Sequence, residues 1–275
     1  MIGLIFGCAA MGRGGDVDVR FIGRDDDNLT QGLCSEYEIR DVQNFVELIE
    51  ARRKFIRENP DAWPLLSLDE PWQASYTSMH TEMSLDLEDK NSVIRSGEYE
   101  EGFDIEEYWT RFTAKERLSF RMRSLDRLAD GTGFEDACGF GLGIDDSALD
   151  KWCGFQRDPL TLLEKVVFAV LVPASSGEAA FAAFPNGYFS CDLSPPLNLA
   201  VIRHFHTAHG YDLIGMGALY LGFWRETLPD ETAAAIIADD FRLLYNVGDA
   251  AWGAMRPRVI EAIAGRSHLW LRYSE

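Results

Sequence analysis

Val166-Val167-Phe168-Ala169-Val170-Leu171-Val172-Pro173 is the stretch on which the fold turns. It is a continuous apolar run of strand length, rich in β-branched residues and stopped by a proline. Downstream of it, Ala179 to Phe184 reads as another strand, and Pro185-Asn186-Gly187 as a turn. Ser194-Pro195-Pro196 opens a helix that runs to His209 and closes at Gly210. Tyr211 to Arg225 reads as a hairpin around Gly215-Met216-Gly217. Asp230 starts a helix with Ala233, Ile236, Ile237, Phe241 and Leu244 on one face. Met255 to Ala264 is a further helix closed by Gly265, and Leu269 to Tyr273 a last strand. This order predicts an α+β fold, with an antiparallel or mixed sheet and helices packed on one side.

Upstream, the pattern is harder to follow. In Asp16 to Ile22, Val17, Val19 and Phe21 share one face, as in a half-buried strand. Ser35-Glu36-Tyr37-Glu38 fits a capping box, and the apolar residues after it recur at helical spacing to Asn59-Pro60. Residues 60–103 carry Pro60, Pro64 and Pro71 and read as irregular. Asp104 and Glu107 fit a second capping box, and Thr113 and Glu116 a third, whose helix ends near Gly131. Residues 131–156 are rich in Gly and Asp, with a short helix expected at Ser147 to Trp152. The expectation is therefore a helix-rich acidic part, 1–154, followed by an α+β domain, 155–275.

The chain has 275 residues, 47% of them hydrophobic, which is a normal supply for a packed core. No apolar run approaches the ~20 residues of a membrane helix. Its 5 cysteines are scattered and never spaced Cys-x-x-Cys, which argues against a disulfide framework or a zinc site and for a reducing, cytoplasmic setting. The net charge is −19, of which residues 1–154 carry −15 and residues 155–275 carry −4. Residues 82–107 alone hold ten acids against Lys90 and Arg95. Such a surface repels nucleic acid and anionic membranes and steers a basic partner.

Three strings carry a resemblance. They are Leu171-Val172-Pro173-Ala174, Ala182-Ala183-Phe184-Pro185-Asn186-Gly187 and His209-Gly210-Tyr211-Asp212-Leu213-Ile214-Gly215. Pro195-Pro196, the helix Val201-Ile202-Arg203-His204-Phe205 and the aromatic strand Leu269-Trp270-Leu271-Arg272-Tyr273 complete it. Residues 165–275 thereby resemble the uncharacterised bacterial family DUF4253. Where the family has a polar or acidic pair in the hairpin, this chain has Ala218-Leu219-Tyr220. The family's Cys-Pro-Asp-like turn is Asn246-Val247-Gly248 here. The resemblance implies a fold and carries no activity.

No catalytic motif stands out. His204, His206 and His209 crowd into six residues, but on a helix they point to about −60°, 140° and 80°, so no single ion faces all three. His206 and His209 make at most a half-site, with no carboxylate one turn on. Gly7 and Gly12-Arg13-Gly14 lack the lysine, hydroxyl and helix of a phosphate loop. Gly139-Phe140-Gly141-Leu142-Gly143 has the wrong spacing for a dinucleotide turn and reads as loop. No metal and no cofactor is expected.

The function expected is that of a protein-interaction module, of the kind of a bacterial immunity or toxin-neutralising protein, that binds a basic partner. Its docking residues would be Glu98, Glu100, Glu101, Asp104, Glu106 and Glu107, with Tyr220 and Trp224 on an aromatic strand face. An alternative is an enzyme with a pocket between the two parts, drawing on Asn186, His209, Asp212 and Arg225. A weaker alternative is an inhibitor that mimics DNA through residues 82–107.

Overall fold

The computed structural model describes residues 17–90, 107–108 and 110–274. Its frame is a 7-stranded mixed sheet in the order β1-β2-β4-β3-β5-β6-β7. The strands are β1 (Asp18–Gly23), β2 (Ser35–Arg40), β3 (Trp63–Ser67), β4 (Val167–Val172), β5 (Asp212–Met216), β6 (Tyr220–Trp224) and β7 (His268–Arg272). Neighbours are antiparallel except β3 and β5, which run parallel with Leu66 opposite Gly215. The helices are α1 (Phe45–Glu58), α2 (Pro71–Ser84), α3 (Ala114–Leu128), α4 (Phe134–Phe140), α5 (Asp146–Arg157), the single turn α6 (Gly177–Ala180), α7 (Pro195–His209), α8 (Glu231–Leu244) and α9 (Asp249–Ile263). The α+β class expected from the sequence is what the structure shows. None of the described helices is long and apolar enough to cross a membrane.

The apolar run 166–172 becomes β4, buried along its whole length near the middle of the sheet. Its two faces feed two cores. Val167, Ala169 and Leu171 pack with Leu48 and Phe55 of α1, whereas Phe168, Val170 and Val172 join the larger core. Each such side chain contributes about 1.5–3 kcal/mol on burial. α1 thus covers the face of β4 opposite the larger core. Because β4 lies between β2 and β3, the boundary expected at residue 154 does not divide the sheet; strands from both sides of it alternate.

The capping signals expected at Thr113, Asp230 and Gly210 hold, whereas α1 takes its cap from Asn44 and Ser194 precedes α7 without a side-chain cap bond. Asn44 caps α1 by accepting from Glu47 N, and Thr113 and Glu116 close a capping box at α3. Gly210 ends α7 at φ 69°, a left-handed conformation that glycine adopts without strain.

Four segments differ from expectation. Ser35–Glu38 is not a helix cap but the start of β2. The Glu36 carboxylate turns inward and accepts from Leu29 N, Thr30 N and the Thr30 hydroxyl at 2.6–3.0 Å. Residues 60–84, read as irregular, hold β3 and α2; α2 escapes notice because its inward face is small and hydroxylic instead of apolar. Residues 179–184 form the end of α6 and a 3-10 turn, not a strand. From Ala180 to Phe184 every Ala and Phe is buried, so the run carries no period to separate helix from strand. Residues 134–140 form α4, where the glycine-rich stretch reads as loop. The capping box at Asp104 lies outside the described residues.

Candidate metal centre

The last turn of α7 lies against α8 and α4. His204 and His209 of α7 both reach Asp240 of α8. The two rings place Nε2 2.5 Å and 2.7 Å from the same oxygen, Asp240 Oδ2. Phe134, the first residue of α4, stacks flat on the His204 ring with centroids 3.8 Å apart and planes 4° apart. His209 is buried, while His204 and Asp240 are each about one quarter to one fifth open to solvent. The cluster therefore sits at the rim of the core with one side facing water.

The electrostatics are those of a held anion between two imidazoles. Burial works against ionising Asp240. Hydrogen bonds from His204 and His209, and their charge, outweigh it and keep the carboxyl well below the usual range. Cys138 lies one helical turn beyond Phe134 on α4. Burial pushes its thiol up to about 11, and the negative charges of Asp240 and Glu135 add to the effect.

His204, His209 and Asp240 offer one ligand atom each, all within 4.8 Å of one another. Two imidazole nitrogens and one carboxylate form a known set for zinc and for other divalent transition ions, and three protein ligands leave a position for water. Ion–ligand distances of about 2.0–2.2 Å put ligand atoms roughly 3.3 Å apart in a tetrahedron. To admit an ion the carboxylate must draw back by less than about 1 Å, and the two imidazole nitrogens, which lie within 4.8 Å of each other, must close to that spacing.

The helical wheel separates His204 from His209 by about 140°. Two long rings with an acceptor between them close that gap. The third ligand comes from α8, 31 residues beyond His209, a distance no local pattern spans. His206 points elsewhere and meets Asp212 at 2.9 Å.

No family model, curated protein or solved structure matches this chain.

The other expected site residues fall in separate places. Tyr220 is buried against Phe155 of α5. Trp224 is half-buried beneath Phe45 and the Arg53 guanidinium of α1. Their strand face is therefore covered by two helices and is not the open aromatic surface expected. Asn186 is buried and bonds Thr77, Asp212 pairs with His206, and Arg225 lies over the Tyr211 ring. With His209 on Asp240, these four do not converge. Glu98, Glu100, Glu101, Asp104 and Glu106 lie outside the described residues. Glu107 is exposed and stands 3.8 Å from Arg111. Of the other acids in 82–107, Glu88 has no exposure and is gripped by Arg117 and Arg121 at 2.7–2.8 Å, and Glu82 is buried beside it.

Proposed function

We propose that this protein binds a divalent transition-metal ion of the zinc class through His204, His209 and Asp240. The observation that carries the reading is that two imidazole Nε2 atoms converge on one carboxylate oxygen at a half-open rim. A bound ion there has room for a water or a small ligand on its solvent side. An ion in such a position lowers the pKa of its water and polarises an oxygen ligand. His209, buried and fixed by the helix end, supplies the rigid ligand. His204, clamped under Phe134, has its ring plane set by that stack. Asp240 supplies the negative charge that offsets the cation.

Titration calorimetry of the intact chain with Zn²⁺ tests it. One equivalent is expected for the natural sequence, and its loss in Asp240→Asn with the circular dichroism unchanged. No binding in the micromolar range, or equal binding by both proteins, overturns the reading and leaves the three residues as a hydrogen-bonded latch between α7 and α8.

A second proposal, docking of a basic protein, keeps the net charge of −19 as its support. Glu82 and Glu88, turned inward, add nothing to it.

A further inference from the structure

α2 is built inside out. Its buried residues are Pro71, Ala74, Ser75, Thr77, Ser78, Thr81 and Glu82. The hydroxyls are used: Thr77 donates to Asn186 Oδ1, and Ser75 donates to Leu29 O at 2.8 Å. The large side chains face solvent instead. Trp72 is 56% exposed, Tyr76 51% and Met83 64%. Tyr76 and His80 touch with ring centroids 4.3 Å apart, His80 and Tyr188 at 5.2 Å, and Tyr188 and Phe189 at 5.4 Å. Tyr188 and Phe189 are themselves 42% and 46% exposed. One continuous stripe of aromatic and thioether groups results. It holds no carboxylate, lysine or arginine, although a quarter of the chain is charged.

Burying this stripe explains a helix whose small residues point inward, because a soluble surface helix ordinarily has the opposite pattern. We propose that the α2 stripe is the interface of a twofold dimer of this chain, with α2 antiparallel to α2 of the second copy. Spacing supports a second copy as the occupant. An isologous contact pairs residue i with j and j with i. An axis near Ser78 sets Trp72 against Met83 and Tyr76 against Met79 or His80, which are aromatic–thioether and aromatic–imidazole pairs. The stripe from Trp72 to Met83 is about 16 Å long, about three helical turns.

Charge supports it as well. The stripe itself carries no ionised group; Glu38, Arg40, Glu164 and Lys165 line the surface beside Trp72 and fall in the rim, with Glu70 and Asp86 beyond the two ends. A cationic partner finds no carboxylate within the stripe. Area is consistent too: five large side chains at about half exposure supply roughly 500 Å². A standard interface needs about 800 Å² per partner, so the stripe is its apolar centre and the polar rim completes it.

Sedimentation velocity on the full chain across a concentration series is the test. The natural sequence should form a dimer, and Tyr76→Glu and Met83→Glu should each raise its dissociation constant at least tenfold. Added salt should tighten the dimer, because it screens two like net charges. A chain that stays monomeric at all concentrations overturns the proposal. So does a dimer that either substitution leaves unchanged while circular dichroism shows both variants folded, since the face would then serve a different partner.

Discussion

Replacing Glu88 by glutamine removes a charge from a carboxylate with no exposure to solvent. Its Oε1 accepts from Arg117 at 2.8 Å and from Arg121 at 2.7 Å, and Lys90 stands 3.8 Å from Oε2. The Arg121 side chain is 6% exposed, so it has nowhere to rehydrate once the anion is gone. Arg117 is 27% exposed and can turn to water. Breaking a buried pair costs about 3–5 kcal/mol, because the remaining charge is left uncompensated. With one of the two arginines able to escape, the lower end applies, about 3 kcal/mol. At 2–4 °C per kcal/mol for a chain of this size, Tm should fall by roughly 6–12 °C. Thermal and urea denaturation of Glu88→Gln measure it. Glu88→Leu combined with Arg121→Met should recover most of the loss, since an apolar replacement of the whole pair is close to neutral. The pH dependence has a definite sign. Burial raises the Glu88 pKa, but the two arginines outweigh it, so the folded value is depressed. Its stabilisation is present above the ordinary glutamate range and is lost as pH falls through the folded value. A Glu88→Gln cost below about 1 kcal/mol would refute the inference that this cluster ties residues 82–90 to α3.

Asp69 has the opposite sign. Burial pushes its pKa up to about 7, against the hydrogen bond from Leu219 N. The folded state holds that proton more tightly, so stability is full below the ordinary aspartate range and falls by up to about 1.4 kcal/mol per unit as pH rises toward 7. Asp69→Asn should flatten this slope in urea denaturation followed from pH 4 to 7. A methyl at Gly222 would stand 2.7 Å from Trp270 and 2.9 Å from Leu68, so Gly222→Ala should cost about 1–3 kcal/mol by thermal denaturation. Asp240→Asn should lower the Cys138 pKa, because it removes a negative charge that raises it. The rate of thiol alkylation against pH should shift to lower pH in that variant.

What could be read in the sequence had local causes. The β4 run needs only its own residues to declare itself, and α3 and α7 carry their caps within one turn. β3 is five residues long, contains Pro64, and is fixed by its parallel register with β5, a partner some 150 residues away. α2 was missed because its packing is hydroxyl to amide, with Thr77 on Asn186, so the apolar period that betrays a helix faces outward. Two of the three ligands of the candidate centre were visible as a histidine cluster. The ligand set was not, because Asp240 enters from another helix and because reach, not wheel angle, brings His204 and His209 together.

Cobalt substitution tests the metal site most directly, since Co²⁺ reports both binding and geometry through its visible absorption. Titrated into the intact chain, it should give intense bands of a four-coordinate site that saturate at one equivalent, vanish in His209→Ala and shift when azide enters the open position. A weak six-coordinate spectrum, or one that is unchanged in His209→Ala, would contradict a site made by His204, His209 and Asp240.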